Sequence, residues 1–207
     1  MNLECSFYAR SADRVARDLL GCRLVRTLDN AEVLSGFIVE TEAYMGPEDQ
    51  ASHASGGRRT PRNESMWAMP GTAYVYFTYG MHFCFNVSCL RQDHPAAVLI
   101  RAIVPEQGIE TMRAHRSKKP RKHALKDKNI CNGPGKLCEA LAIDRTFDAI
   151  DLLQSSHLAI EQGFAVPDRL VDRTPRIGMG KVTIWKDKPL RWVTGMHPPR
   201  TGCEKMQ

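Results

Sequence analysis

Hydrophobic and polar positions alternate in several short segments of the chain, which predicts a strand-rich fold. The apolar residues recur with a period of two or form short runs rich in β-branched and aromatic residues, as strands do. A helix is predicted over residues 12–20, because Ser11 can cap its start and Gly21 follows its last apolar position. Further helices are predicted over 106–116 and 135–142. The predicted strands cover residues 23–27, 33–44, 73–78, 81–88 and 97–104.

The predicted strands and helices together indicate a mixed α/β (α+β) fold with a central, mostly antiparallel curved sheet and peripheral helices. Tyr79-Gly80 joins two strands as a turn and predicts a protruding β-hairpin with an aromatic tip. The polar segment 45–72 predicts a long loop, and long loops in compact domains are commonly functional. Because no linker composition divides the chain, we expect one domain over residues 1–207, with residues 1–10 and 196–207 loosely ordered.

Composition and charge narrow the class of protein. A net charge of +6 suits a polyanionic partner, although many proteins carry such a charge without one. Seven irregularly spaced cysteines without a CxxC pair disfavour a structural zinc site and suit free thiols. Without a signal-peptide core or a membrane-spanning apolar stretch, we expect a soluble intracellular protein, nuclear if eukaryotic and otherwise in the cytoplasm or nucleoid. The basic segment 116–128 suits a nuclear address or a DNA-facing patch.

A few polar side chains stand where chemistry is plausible. Glu40 and Glu42 end an apolar strand, two residues apart and therefore on one face. Such a carboxylate can act as a general base, although most glutamates are solvated surface groups. Arg101 interrupts an apolar strand and needs an acceptor, either in a structural ion pair or by orienting a catalytic carboxylate. Tyr79, at a hairpin tip, has no core to pack against and suits insertion between stacked bases.

Ten blocks of sequence, taken in order, resemble the alkyladenine (methylpurine, 3-methyladenine) DNA glycosylase family. The resemblance extends over about residues 11–195. The blocks are IVETEAY (38–44), GPED (46–49) with His53, GGR (56–58), TPRN (60–63), PGT (70–72), YVY (74–76), YGM (79–81), NVS (86–88), VLIRA (98–102) and GPGKLC (133–138).

This resemblance implies an enzyme that flips damaged purines out of duplex DNA and hydrolyses the N-glycosidic bond. The implied substrates are alkylated or deaminated purines of the 3-methyladenine, 7-methylguanine, hypoxanthine and ethenoadenine class. Glu42 would activate the water, helped by Arg101, with no metal, other cofactor or strand-cleaving lyase step. The implied roles elsewhere are walls of the base pocket for Tyr44, His53, Tyr76 and Asn86, insertion into the duplex for Tyr79 and Met81, and phosphate binding for Thr60, Arg62 and Lys136.

The partner that the resemblance implies is duplex DNA containing damaged purines. We expect the protein to act as a monomer and without a membrane. Two alternatives remain open from the sequence. One is a module that binds lesions without catalysis, and the other is an RNA-binding domain.

Overall fold

The computed structural model describes residues 1–117, 123–179 and 183–196. Its centre is an antiparallel sheet of eight strands within these residues, in the order β3-β4-β5-β2-β1-β6. β8 pairs with β2 beyond the end of β1, and β7 pairs with β8. The strands are β1 (Arg23–Thr27), β2 (Val33–Tyr44), β3 (Ala73–Thr78), β4 (His82–Cys89), β5 (Ala96–Gln107), β6 (Leu158–Glu161), β7 (Val171–Thr174) and β8 (Arg191–Thr194).

Short helices pack around this sheet and complete its core. The side chains of Val15 and Leu19 are buried with Ile38 and Ile100 of the sheet. Gly21 has φ +84°, a left-handed conformation that ends the helix before it, and a Cβ there would lie 2.2 Å from the Phe164 oxygen. The helices are α1 (Cys5–Tyr8), α2 (Ala12–Asp18), α3 (Ile109–His115), α4 (Pro134–Ala140) and α5 (Thr183–Lys186).

The predicted fold class, with an antiparallel sheet, peripheral helices and a hairpin, is therefore confirmed. None of the described helices is long and apolar enough to cross a membrane. The six cysteines within the described part of the chain are free thiols.

Several predicted bounds were wrong. Residues 106–107 belong to β5, so α3 begins only after Gly108, which has φ +67° and lies against Leu34. The predicted helix over 135–142 begins one residue earlier and ends at Ala140, because Ala142 has φ +51°. Met81 belongs to the hairpin turn rather than to β4, since its N–H donates to the Thr78 oxygen.

The N-terminal segment differs from expectation. Residues 1–10 were expected to be loosely ordered, but Tyr8 is buried in the core and the Leu3 N–H donates to the Ile160 oxygen. Of the C-terminal segment expected to be loose, residues 197–207 lie outside the described residues, as do positions 118–122 of the basic segment. The long loop 45–72 contains two short 3-10 turns, Ser55–Gly57 and Glu64–Trp67.

Candidate active site

One cavity lies where β2, β3, β4 and β5 meet the segment 176–179. Its volume is about 290 Å³, close to the lower end of the range for small-ligand sites. The sheet register explains its composition, because residues opposite each other on antiparallel strands share a face. Tyr74 lies opposite Asn86, Asn86 opposite Leu99, and Leu99 opposite Glu42. All four line the cavity, together with the predicted site residues Tyr44, His53, Tyr76, Tyr79 and Arg101.

Glu42 is the buried carboxylate of this cavity, with no exposed surface. Its Oε1 accepts the backbone N–H of Ile177 at 2.8 Å and lies 3.1 Å from Arg101 Nη1. Its Oε2 accepts the Tyr44 hydroxyl at 3.1 Å. Burial raises the pKa of Glu42, while Arg101, the Ile177 N–H and the Tyr44 hydroxyl oppose that rise. Glu42 is therefore a stronger base than a surface carboxylate.

Arg101 joins the two glutamates that the sequence placed on one face. Its Nε donates to Glu40 Oε1 at 2.7 Å while Nη1 pairs with Glu42. Glu40 also accepts from Arg191 Nε at 2.6 Å. Burial acts to lower the pKa of Arg101, but Glu42 and Glu40 outweigh it and raise that pKa. Arg101 thus combines the two interpretations that the sequence left open, an ion pair and a contact with the candidate base.

Aromatic rings form one wall of the cavity. The Tyr74 and Tyr76 rings lie 5.2 Å apart, and the His53 ring meets Tyr76 edge-on at 4.6 Å. His53 Nδ1 is 2.7 Å from the Tyr74 hydroxyl, so this loop histidine is tied to the sheet. Partial burial and the nearby charge of Arg62 lower the pKa of His53, which favours a neutral ring.

Asn86 is a rigid polar group among these rings. It is buried, and its Nδ2 donates to the Tyr74 oxygen at 3.0 Å and lies 3.4 Å from the Cys84 oxygen. Both backbone acceptors hold the side chain in one position, so the shape of the cavity at this point is fixed.

Tyr79 lies at the mouth of the cavity, on the tip of the β3–β4 hairpin. Tyr79 and Gly80 have φ of +50° and +67°, as in the tight turns that join antiparallel strands. A tyrosine in this conformation is strained, and such strain is found mainly at functional positions. Tyr79 is 82% exposed, although its aromatic ring is apolar.

The other predicted site residues lie outside the cavity lining. Met81 is 70% exposed beside Tyr79 on the hairpin. The Arg62 guanidinium lies 5.3 Å from the centre of the Tyr76 ring. Thr60 bonds to Asn63 through its N–H and hydroxyl, and Lys136 Nζ lies 2.9 Å from Asn132 Oδ1.

Three contributors to the site were not predicted from the sequence. Tyr74 had no predicted role, yet its hydroxyl lies 2.7 Å from His53 Nδ1 and its ring lies 5.2 Å from that of Tyr76. Ile177, through its N–H, and Arg176, through a bidentate pair with Asp49, were also missed. No local pattern marks Arg176 or Ile177, because their partners are more than 120 residues away in the sequence.

This arrangement suits the activation of one water molecule beside a flat ligand. The carboxylate of Glu42 can accept a proton at the inner end of an aromatic cavity, and Arg101 supplies a fixed positive charge next to it. The aromatic wall offers ring faces to a planar or cationic group.

Comparison with known proteins identifies the family of this chain. The profile of the methylpurine-DNA glycosylase family matches residues 6–198. A human protein named DNA-3-methyladenine glycosylase is 48% identical over 200 residues, which cover 95% of this chain and 66% of that protein. Its mouse counterpart is 48% identical and is covered over 59% of its length. The chain thus spans less than two thirds of these mammalian relatives. A relative from Desulfitobacterium hafniense is 43% identical, with 90% of this chain and 91% of that protein covered.

Proposed function

Because this chain belongs to the methylpurine-DNA glycosylase family, we propose that it is a monofunctional DNA repair glycosylase that excises alkylated purines from duplex DNA. The single observation that carries the proposal is Glu42, a fully buried carboxylate held by three donors at the inner end of an aromatic cavity. A module that only binds lesions has no use for a carboxylate whose pKa is raised by burial.

In the proposed reaction, Glu42 accepts a proton from water as the water oxygen bonds to C1′ of the sugar. The bond between C1′ and the purine nitrogen breaks, and its electron pair leaves with the base. The negative charge of Glu42 also stabilises the positive charge that develops on the sugar. None of the described residues that line the cavity is a lysine, so their chemistry favours water over an amine as the nucleophile. The product is an abasic site.

Lesion choice is proposed to rest on the aromatic wall and on Asn86. Alkylation at a ring nitrogen makes the purine cationic, and stacking against Tyr44 or Tyr76 favours a cation by about 0.5–2 kcal/mol. Arg176 already lies 4.7 Å from the centre of the Tyr44 ring, so only the opposite face of that ring is available for a base. For neutral lesions such as hypoxanthine and ethenoadenine, hydrogen bonds from His53 supply the selection. Asn86 rejects unmodified guanine because the Asn86 side chain is held in one position, where it clashes with the exocyclic amine of guanine.

The nucleotide must leave the base stack to reach Glu42. Flipping costs a few kcal/mol and costs less at a damaged pair. The exposed ring of Tyr79, with Met81 beside it, fills the gap and restores part of the lost stacking. Thr60, Arg62 and Lys136 bind backbone phosphates, and the net charge of +6 adds affinity that does not depend on base sequence. We propose that the protein does this as a monomer, inside the cell, where DNA is found.

The test is release of free base from duplexes containing 3-methyladenine, 7-methylguanine, hypoxanthine or ethenoadenine, measured in single turnover. The wild-type protein is expected to release base, and Glu42→Gln is expected to bind the same duplex but lose at least 100-fold in rate. Binding without release by the wild type would show a binding module instead. Near-normal release by Glu42→Gln would refute the assignment of the base.

A further inference from the structure

Asp49 and Arg176 form an ion pair with fully buried side chains. Arg176 Nη1 and Nη2 donate to the two carboxylate oxygens of Asp49 at 2.6 and 2.8 Å. Nη1 also donates to the backbone oxygen of Ala43 at 2.8 Å, next to Glu42 in β2. This pair ties the segment after β7 to the strand that carries the proposed base.

The pair organises chain segments on both sides of the cavity. Asp49 accepts the N–H groups of Met45 and Ala51, at the start of the loop that carries His53. On the other side, Arg176 precedes residues 177–179, which line the cavity. In this segment the Ile177 N–H donates to Glu42 Oε1, whereas Ile177 as a whole is 51% exposed. Ile177 is half-exposed and so holds this segment weakly by its own packing. The buried side chain of Arg176, one residue earlier, therefore fixes the position of the Ile177 N–H.

A gain in folding stability does not explain why Asp49 and Arg176 are buried as an ion pair. Burying two charges costs desolvation that their attraction repays only in part, and apolar residues of similar size are often as stable. Within the described part of the chain, Arg176 Nε is buried without a hydrogen-bond partner. The guanidinium also lies over the Tyr44 ring, at 4.7 Å from its centre. The pair therefore fixes geometry around Glu42 and Tyr44 at some cost.

We propose that Asp49 and Arg176 are positioning residues that pin residues 176–179, so that the Ile177 N–H holds the ionised carboxylate of Glu42. The inference rests on the proposed function, in which ionised Glu42 accepts a proton from water. Losing this N–H removes a hydrogen bond to the charged form, which raises the pKa of Glu42. Base release would then fail at low pH first.

Other charged and titratable groups around Glu42 also influence its pKa. From β5, Arg101 favours the ionised form, and from β2 the Tyr44 hydroxyl donates to it while Glu40 opposes it. β4 contributes the neutral thiol of Cys84, whose pKa is raised by burial. Arg191 of β8 lies opposite Glu42 in the sheet and pairs with Glu40. The Ile177 N–H differs from all of these because it carries no side-chain charge and does not titrate.

The decisive comparison is Ile177→Pro against Ile177→Ala. Proline removes the N–H, whereas alanine keeps it and removes only the half-exposed side chain. Single-turnover release of hypoxanthine is measured between pH 5 and 9. For Ile177→Pro the acid limb of the profile is expected to move up by about one pH unit, the effect of one hydrogen bond to a charged group. For Ile177→Ala the acid limb is expected to stay in place. Coincident pH profiles of Ile177→Pro and Ile177→Ala would overturn the proposal.

The second arm tests the buried pair with Asp49→Asn/Arg176→Met, which leaves neither charge unpaired. The acid limb of its profile is expected to move up as in Ile177→Pro. Arg176→Lys keeps the positive charge, so its profile is expected to move up less. The matched control is Asp168→Asn/Arg17→Met, which removes a part-exposed pair joined at 2.5 Å between α2 and the 3-10 turn Asp168–Leu170. This control is expected to keep the wild-type profile.

Each arm decides the inference separately. It is overturned if the Asp49/Arg176 variant melts at a lower temperature but keeps the wild-type pH profile, because the pair is then purely structural. Binding of a duplex with a non-cleavable abasic analogue should change less than threefold in every variant, which separates catalysis from affinity. Failure of the proposed function looks different, since the wild-type protein would then release no base at any pH.

Discussion

Replacement of Arg101 by methionine is expected to impair base release selectively at low pH. Arg101 Nη1 lies 3.1 Å from Glu42 Oε1, and its Nε lies 2.7 Å from Glu40. Methionine keeps much of the side-chain length but removes the positive charge, so two neighbouring carboxylates lose their shared cation. Protonation of Glu42 then becomes easier, and a protonated Glu42 cannot accept a proton from water.

The size of the effect follows from the distance between the charges. Two unit charges about 4 Å apart attract by about 4 kcal/mol at an effective dielectric constant of about 20. About 1.4 kcal/mol corresponds to a tenfold change in an equilibrium, so this attraction could move the acid limb of a pH–rate profile by up to about three pH units. Arg101 divides its charge between two carboxylates, and water that enters the vacated space screens them. We therefore expect the pKa of Glu42 to rise and the acid limb of the profile to move up by about one to three pH units.

The assay is single-turnover release of hypoxanthine from pH 5 to 9, expressed as the ratio of the variant rate to the wild-type rate. This ratio cancels any titration of the base itself. Between the two pKa values of Glu42 the ratio is expected to fall about tenfold for each unit of decreasing pH. Above the pKa of the variant it should reach a plateau, because Glu42 is then ionised in both proteins.

Arg191→Met is the matched control, because Arg191 donates to the same Oε1 of Glu40 at 2.6 Å. Its profile should shift less than half as far as that of Arg101→Met. A ratio for Arg101→Met that is reduced by one constant factor at every pH would refute the electrostatic reasoning. Arg101 would then act through geometry alone.

Three further predictions concern the cavity and the DNA-binding surface. Tyr79→Ala should lower base release at least tenfold while changing the melting temperature by less than about 2 °C, because the side chain is 82% exposed; Leu170→Ala, also exposed, is the control for both readouts. Asn86→Ser should increase excision of unmodified guanine relative to hypoxanthine, and an unchanged ratio would exclude Asn86 as the filter. Lys136→Ala should reduce the slope of log affinity against log salt by about one, as measured by titration of a lesion duplex.

Much of the fold could be predicted from the sequence because its long strands carry their own pattern. β2 was predicted with its observed bounds, and β3 likewise, since alternating apolar residues and the Tyr79-Gly80 turn are local signals. β6, β7 and β8 were not predicted. Each has four residues, too few for a clear period. β6 and β8 pair with strands that lie far away in the sequence, and β7 pairs only with β8 among the described strands.

The candidate site was also predictable only in part. The resemblance named Glu42 and Arg101, and the register of β2 and β5 places both in the cavity. The contacts that hold Glu42 from outside the sheet were not predictable. Arg176 and Ile177 act on β2 from 133 and 135 residues away, and one of the two acts through its backbone N–H, which every residue except proline possesses.

The surroundings of Glu42 balance two requirements that conflict. Burial raises its pKa and so makes it a stronger base, but the same burial favours the protonated form, which is inactive as a base. The donors resolve this conflict because each stabilises the ionised form without exposing it to water. They come from three separate parts of the chain: Arg101 from β5, Tyr44 from β2 and Ile177 from the segment pinned by Arg176. Loss of one donor should therefore move the pH profile, whereas loss of the carboxylate removes the activity.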